Sequence, residues 1–258
     1  MIDILIPTYN RNSRLETVLY GLTLQNPKLP ENYRIVICDD NSPDSASDTV
    51  NQFKDKLNIE YYRNDTNTGS SAVRRFLVKQ IKQNYIWWLD DDVVPYEDTS
   101  FKHIQNCRSL DTISVGTMED VVEEVTDELL KLPLIERIDR FKSAAIPEKR
   151  YQFINPENHK RAWGGCWTGN LMMLKDQGDK IGWLDEEAVG WGHDDTIMTA
   201  KLVGEGYLMK YDINTRGVHL RQDINRKGNL GRGYYDTAIQ NAKVLDKWLK
   251  YYNITWTG

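Results

Sequence analysis

The chain has 258 residues, 40% hydrophobic and 28% charged, with a formal net charge of -5. This length suffices for one sizeable α/β core, and the composition is that of an ordinary soluble globular protein. The acidic balance argues against nucleic acid as a partner. No run of about 18 apolar residues occurs, so no transmembrane helix is expected. The opening "IDILIP" lacks a basic region followed by an apolar stretch, so no signal peptide is expected either. Cys38, Cys107 and Cys166 are odd in number and widely spaced. That spacing excludes a zinc ribbon or disulfide framework and fits a reducing compartment. The eight Trp and fourteen Tyr are many for this length. Aromatics line sugar and nucleotide sites, although most are expected to pack in the core or on the surface.

The first half alternates strand and helix. "IDILIP" reads as a buried strand, and "RLETVLYGLTLQN" as a helix with Leu15, Val18, Leu19 and Leu22 at helical spacing. "YRIVICDD" is the second strand and "SASDTVNQFKDKL" the second helix. "IEYYRN" is the third strand. "GSSAVRRFLVKQIKQN" is a helix with Val73, Leu77 and Ile81 on one face, and "YIWWLD" is the fourth strand. Such alternation predicts parallel pairing through right-handed crossovers, with ligands bound beyond the carboxyl ends of the strands. The loops "PTYNR", "CDDNSPD" and "DDDVVP" all follow strands directly and fall on that edge.

The second half is less regular. "TISVGTM" reads as a strand. "EDVVEEVTDELLKL" reads as an acidic amphipathic helix or a mobile segment, its charges a solvated face. Residues 140–165 show no clean period and read as a long loop, functional or disordered. "CWTGNLMMLK" is a strand, and "HDDTIMTAKLVGEG" a helix led by acids, where its dipole favours them. "YLMKYD" and "TRGVHLR" read as two strands, and "YYDTAIQNAKVLDKWLKYY" as a closing helix. Without repeats or a linker rich in Pro, Gly or Ser, one domain over 1–258 is the simplest organisation.

Asp90, Asp91 and Asp92 end an apolar strand, and their mutual repulsion calls for a counter-charge. Hard oxygen ligands suit Mg²⁺ or Mn²⁺, ions that keep positions open for substrate phosphates. A bare acidic triplet is equally a solvated turn or helix cap. Its place on the ligand edge, and the second pair Asp39 and Asp40 ending a neighbouring strand, strengthen the metal reading. Asp before "NSPD" is also good turn chemistry.

Four motifs in order then resemble the inverting GT-A glycosyltransferases of family 2. They are "ILIPTYNR" for the first strand and nucleotide loop, "VICDDNSPD" for the second-strand acids, "NDTNTGSSAVRR", and "WWLDDDVVP" for the Asp-x-Asp motif. The segment from Cys166 to Tyr207 is similar to the acceptor and catalytic part of β-1,4-galactosyltransferases and chondroitin-type polymerases. There Trp-Gly-x-Glu-Asp starts a helix, whereas this chain reads Trp191, Gly192, His193, Asp194, Asp195. Asp194 is one methylene shorter than the usual Glu, which leaves sugar specificity open.

The resemblance implies a GT-A fold, Rossmann-like, with a mostly parallel central sheet flanked by helices. Residues 1–118 would form the nucleotide-binding half and 119–258 the acceptor-binding and catalytic half. It implies a metal-dependent inverting transferase that moves a hexose or N-acetylhexosamine from a UDP-sugar to a hydroxyl of a glycan, glycolipid or glycoprotein acceptor. Pro7, Thr8, Tyr9, Arg11, Asp39 and Arg74 would contact the nucleotide, Asp39 through the uracil ring. Asp90 would meet the ribose or sugar; Asp91 is grouped with it but has no task of its own. Asp92 and His219 would hold Mn²⁺ or Mg²⁺, with imidazole favouring Mn²⁺. Asp195 would be the general base. Trp167, Gly169, Trp191, Gly192 and Asp194 would form the sugar and acceptor surface, Trp by stacking and Gly by close backbone approach. The basic, Gly-rich stretch "RQDINRKGNLGRG" would close over the donor. A cytoplasmic location is expected, with contact at the inner face of a membrane left open.

Rival classes fit less well. Receiver domains and phosphatases need Lys or Ser/Thr at other strand ends. Nucleotidyltransferases open on a Gly-rich phosphate loop, and "PTYNRN" has no Gly. A non-catalytic or hydrolytic nucleotide-sugar-binding module would not need Asp92, Asp195 and His219 together.

Overall fold

The computed structural model describes residues 1–147, 163–222 and 232–254. Strands β1 (Ile2–Thr8), β2 (Tyr33–Asp39), β3 (Ile59–Arg63) and β4 (Tyr85–Leu89) pair in parallel in the order β3-β2-β1-β4. Helices α1 (Asn12–Thr23), α2 (Ser47–Asn51) and α3 (Ser70–Lys79) connect them. The second half extends the same sheet. It contributes β5 (Val93–Pro95), β6 (Thr112–Val121), β7 (Asn170–Leu174) and β8 (Leu208–Leu220), in the order β7-β6-β8-β5 beyond β4. β6 and β8 share the direction of the first four strands, while β7 and β5 run against them. The expected mostly parallel α/β sheet is therefore present.

The central strands β1, β2, β4 and β7 are mostly apolar because both faces of the sheet are covered there. Ile4, Ile6, Ile35, Ile37 and Trp87 pack with Leu15, Val18 and Leu19 of α1 and with Ile138 and Phe141 of α6 (Leu134–Ala144). Leu5, Val36, Ile86 and Trp88 pack with Val73 and Leu77 of α3. The same layer holds Ile197 and Met198 of α8 (Asp194–Gly204) and Leu245 of α9 (Arg232–Tyr251). Successive strand residues enter opposite layers, as the two-residue strand period requires. Trp87 and Trp88 are both fully buried, one in each layer.

Several expectations are corrected. The second helix shortens to Ser47–Asn51, in a stretch rich in Ser, Asp and Asn that compete for backbone hydrogen bonds. The third ends at Lys79 rather than running on to Asn84. The two strands expected over 207–221 are one, β8, whose ladder with β6 shifts register between Gly116 and Thr117. At that irregularity Asp212 accepts hydrogen bonds from Asn214 N–H and Thr215 O–H, so the chain bulges without leaving the sheet. The acidic run 119–132 carries α5 (Glu123–Leu129), and α6 takes up the first residues of the expected long loop. α4 (Thr99–Asn106), α7 (Lys175–Ile181) and β5 carry no expectation from sequence. Residues 148–162 of that loop, and 223–231 of the expected donor-covering stretch, lie outside the described residues.

Candidate active site

Strand direction gathers the acids. The carboxyl ends of β1, β2, β4, β6 and β8 bring up Thr8, Asp39, Asp90, Asp120 and His219. The reversed strands β7 and β5 begin at this edge, so Gly169 and Asp92 arrive there from the other direction.

Two arginines partly balance the triplet. Arg11, in the turn after β1, donates through one Nη1 to Asp91 Oδ1 at 2.9 Å and to Asp92 Oδ2 at 2.8 Å. Thr8 Oγ1 donates to the other Asp91 oxygen at 2.7 Å. Arg74 of α3, only 9% exposed, donates to Asp90 Oδ1 at 2.9 Å and to Asp194 Oδ2 at 2.8 Å. Burial opposes the charge of each guanidinium, but the facing carboxylates outweigh it and hold both pKa values above the ordinary range. Burial and the neighbouring Asp92 push Asp91 up to about 6, against the pull of Arg11.

Asp92 also faces His219. Val93 pairs with His219 across β5 and β8, and Leu220 N–H donates to Asp92 O at 2.8 Å. His219 Nε2 stands 3.8 Å from Asp92 Oδ2, while its Nδ1 bonds Asp120 Oδ1 at 2.9 Å. Burial disfavours the imidazolium, but Asp92 and Asp120 more than offset it and raise the pKa. Asp120 falls to about 2: burial opposes its charge, and hydrogen bonds from His219 and Arg221 dominate.

Two ligands each about 2.1 Å from one ion lie about 3 to 4.2 Å apart, depending on the angle between them. The Asp92–His219 separation falls in that span, so this oxygen and nitrogen pair fits a divalent cation. Among the described residues no cluster of three or more His, Cys, Asp or Glu is close enough to hold a metal. An ion here would have two protein ligands and positions left for phosphate or water oxygens.

The nucleotide-side loops are tightly bound to themselves. Asp39 is fully buried, and its oxygens accept from Ser42 N–H and O–H, Ala46 N–H and Tyr61 O–H. Burial raises its pKa, but those four donors win and lower it. A base contact at Asp39 requires one of these donors to let go. Its neighbour Asp40 holds the third loop, accepting from Asn64, from Thr68 N–H and O–H and from Gly69 N–H. Pro7, next to last in β1, is half-buried, and Tyr9 just beyond the strand is 45% exposed.

The segment from Val189 to Asp195, expected to be catalytic, is clamped from both sides. Gly69 has φ +84°, and a Cβ there would lie 2.7 Å from Gly190 Cα. Gly190 O accepts from Ser71 N–H at 3.0 Å and Ser70 O–H at 3.1 Å. From the other side the buried Asn241 of α9 donates to Val189 O and Gly192 O and accepts from Val189 N–H. Gly192 has φ +95° and leads through His193 into α8. Asp194 is buried in the Arg74 bridge. Asp195 is half-exposed and accepts from Thr196 N–H at 2.7 Å. Burial, then repulsion from Asp194, push Asp195 up to about 7. Trp191 and Trp167 are 44% and 40% exposed. Gly169 O accepts from Asp90 N–H at 3.1 Å, and a Cβ on Gly169 would crowd Met118 Sδ and Asp90 Oδ2.

Thus Thr8, Arg11, Arg74, Asp90, Asp91, Asp92, Asp194 and His219 are linked directly in short chains of contact. Asp39 is set apart in its own loop. The sequence reading named Asp40 only as half of an acidic pair, without a role, and passed over Asp120 and Asn241. Asp40 and Asp120 carry the signal that marked the others, an acid at a strand's carboxyl end. Asn241, mid-helix, carries none.

A doubly wound sheet with acids at its carboxyl edge defines a nucleotide-type α/β enzyme fold. Residues 3–178 match the family described as Glycosyl transferase family 2, and the chain belongs to that family. It is 27% identical over 229 residues to the chondroitin synthase of Escherichia coli, covering 80% of this chain and 32% of that relative. The chain thus spans less than two thirds of the length of the first curated relatives it matches. Its fold is similar to S. aureus TarS 1–349 in complex with UDP-GlcNAc, with TM-score 0.66, 14% identity, and coverage of 96% of this chain and 71% of that one. It is also similar to a mannosyltransferase from Pyrobaculum calidifontis in complex with GDP-Man and Mn2+, with TM-score 0.63, 13% identity, and coverage of 97% and 63%. Both are GT-A folds, and at these identities the likeness speaks to the fold. Among the described residues no helix is long and apolar enough to cross a membrane.

Proposed function

We propose that the chain is an inverting glycosyltransferase that moves a hexose or N-acetylhexosamine from a UDP-sugar to a hydroxyl of a glycan, glycolipid or glycoprotein. The observation that carries this is the Arg74 bridge. One guanidinium ties Asp90, at the donor edge, to Asp194, beside a carboxylate whose pKa has risen to about 7. A general base is most effective when its pKa is near the working pH.

In this reading Asp195 takes the proton from an acceptor hydroxyl as that oxygen attacks the anomeric carbon. The bond from that carbon to the donor phosphate breaks, UDP leaves, and the configuration inverts. Arg11 and Arg74 lie where the diphosphate would gain charge, and fixed cations there favour the transition state. Trp191 and Trp167 offer faces for sugar stacking. Asp92 and His219 would hold a Mn²⁺ or Mg²⁺ ion, which would supply Lewis-acid stabilisation of the leaving diphosphate. Residues 1–118 serve the donor and 119–258 the acceptor, within one domain. The reaction belongs to the cytoplasmic side, at the membrane face if the acceptor is lipid-linked.

UDP over GDP follows the TarS complex, although the mannosyltransferase complex holds GDP-Man. The test is nucleotide release from a panel of UDP- and GDP-sugars, with and without Mn²⁺, over glycan acceptors. Mn²⁺-stimulated UDP release that needs an acceptor supports the reading. Absence of nucleotide release from every donor and acceptor combination overturns it, and acceptor-independent release would make the chain a hydrolase.

A further inference from the structure

We propose that Asp120 is a positioning residue that fixes the tautomer and heading of His219, so that a bare Nε2 faces Asp92. The consequence for metal binding rests on the metal-dependent reading above; the tautomer itself does not.

The two residues are set side by side by the sheet. Asp120 pairs with His219 in the parallel β6–β8 ladder. The backbone of Asp120 is pinned on its other side, where Asp120 N–H donates to Ile146 O and Ile146 N–H to Asp120 O, both at 2.9 Å. From that base Asp120 Oδ1 reaches His219 Nδ1 at 2.9 Å, and the opposite ring nitrogen lies 3.8 Å from Asp92 Oδ2.

A neutral imidazole has one N–H and one lone pair. Donating Nδ1–H to Asp120 leaves the Nε2 lone pair free toward Asp92. The other tautomer would set the Nδ1 lone pair 2.9 Å from a carboxylate oxygen, a closer and more repulsive contact than Nε2 makes at 3.8 Å from Asp92. A carboxylate behind a histidine is the usual way a protein aims an imidazole at a metal and raises its basicity.

A purely structural role for Asp120 is the weaker account. Its other partner, Arg221 at 2.6 Å, is 57% exposed, and surface pairs of that kind contribute little. Neither partner is needed to pin the strand, because the backbone bridge to Ile146 does so.

The test uses the full chain labelled with ¹⁵N-histidine, free of metal and in alkaline solution where imidazoles are neutral. Only four histidines contribute, and His219 is assigned by its loss in His219→Gln. The wild type should show His219 as the Nδ1–H tautomer. Asp120→Ala should shift it toward Nε2–H or a mixture, and should weaken Mn²⁺ binding to the UDP-loaded chain by about 10- to 100-fold in an EPR titration. Asp120→Asn, whose amide oxygen still accepts from Nδ1–H, should recover the tautomer and much of the affinity. Arg221→Ala should change neither. Thermal melting and circular dichroism confirm that each variant is folded. An unchanged tautomer in Asp120→Ala, or unchanged Mn²⁺ affinity despite a changed tautomer, overturns the proposal. If wild type takes up no Mn²⁺ even with UDP, the metal reading fails by itself, and the tautomer still decides the role of Asp120.

Discussion

Asp3 and the Asp90–Asp92 triplet sit near opposite edges of one sheet, and their surroundings differ in stoichiometry. Asp3 is fully buried with a single bidentate partner: Arg34 Nε and Nη2 donate to its two oxygens at 2.9 Å each. Lys82 and Gln83 N–H complete its shell at 2.7 and 3.0 Å. Arg34 is finished by Glu60 Oε1 and Gln80 O, and Lys82 Nζ also reaches Glu60 at 3.3 Å, so two cations meet two carboxylates here. At the triplet each arginine is divided between two carboxylates, Arg11 between Asp91 and Asp92, and Arg74 between Asp90 and Asp194. Charge that is balanced and saturated holds a fold; charge that is shared and in excess of its cations has room for a charged ligand.

That contrast can be broken at either edge. At the chemical edge, Asp195→Asn should lower transfer by about 100- to 10,000-fold while leaving donor binding and unfolding by urea nearly unchanged. Unchanged turnover would remove the base assignment. At the structural edge, Arg34→Met should cost about 3–5 kcal/mol in urea unfolding, because it strands a buried carboxylate. The folded fraction should keep wild-type turnover, and loss of turnover without loss of stability would erase the distinction between the edges. Asp92→Ala should weaken UDP binding in Mn²⁺ by about 10- to 100-fold by calorimetry. Equal UDP affinity with and without Mn²⁺ in wild type would contradict the metal site.

Protonation sharpens the same contrast. Burial and Asp194 raise Asp195 to about 7, and the base works only when ionised. The rate should therefore fall about tenfold per pH unit below that value and level off above it. A flat acid limb would point to another base. The smallest effect is on stability. Asp91 is raised from about 3.9 in the unfolded chain to about 6 in the fold, so between those values the native state binds more protons. Stability from this group is present at low pH and is lost as pH rises through that window. Relative to Asp91→Asn, wild type should gain on the order of 1 kcal/mol as pH falls from about 6 to about 4. A difference that does not vary with pH would mean that Arg11 fully compensates Asp91.

The sequence carried the strand ends and little of what lies between them. Apolar runs made β1, β2 and β4 readable, and acids marked the ends of β2 and β4, because a strand covered on both faces has one pattern regardless of its neighbours. Strand direction beyond β4 was not readable, since β7 and β5 look apolar whichever way they run. Arg74 was found through its motif, yet its partner Asp194 lies 120 residues away, and only folding brings the two together. Asp120 was passed over because "TMEDVVEEV" reads as a solvated acidic face. Its neighbour on β8 is what makes it different.

The contact between Gly69 and Gly190 works as a gauge between the two halves. The start of helix α3 and the loop carrying Trp191 meet main chain to main chain at Gly69 and Gly190, with the Ser70 hydroxyl on Gly190 O beside them. A methyl on Gly69 would be a shim, lifting the Trp191 loop off α3, whereas one on Gly190 would meet Thr237 of α9 instead. Because displacement of about 1 Å can cost a hundredfold in rate, the bareness of Gly69 sets a tolerance that no rotamer change can adjust.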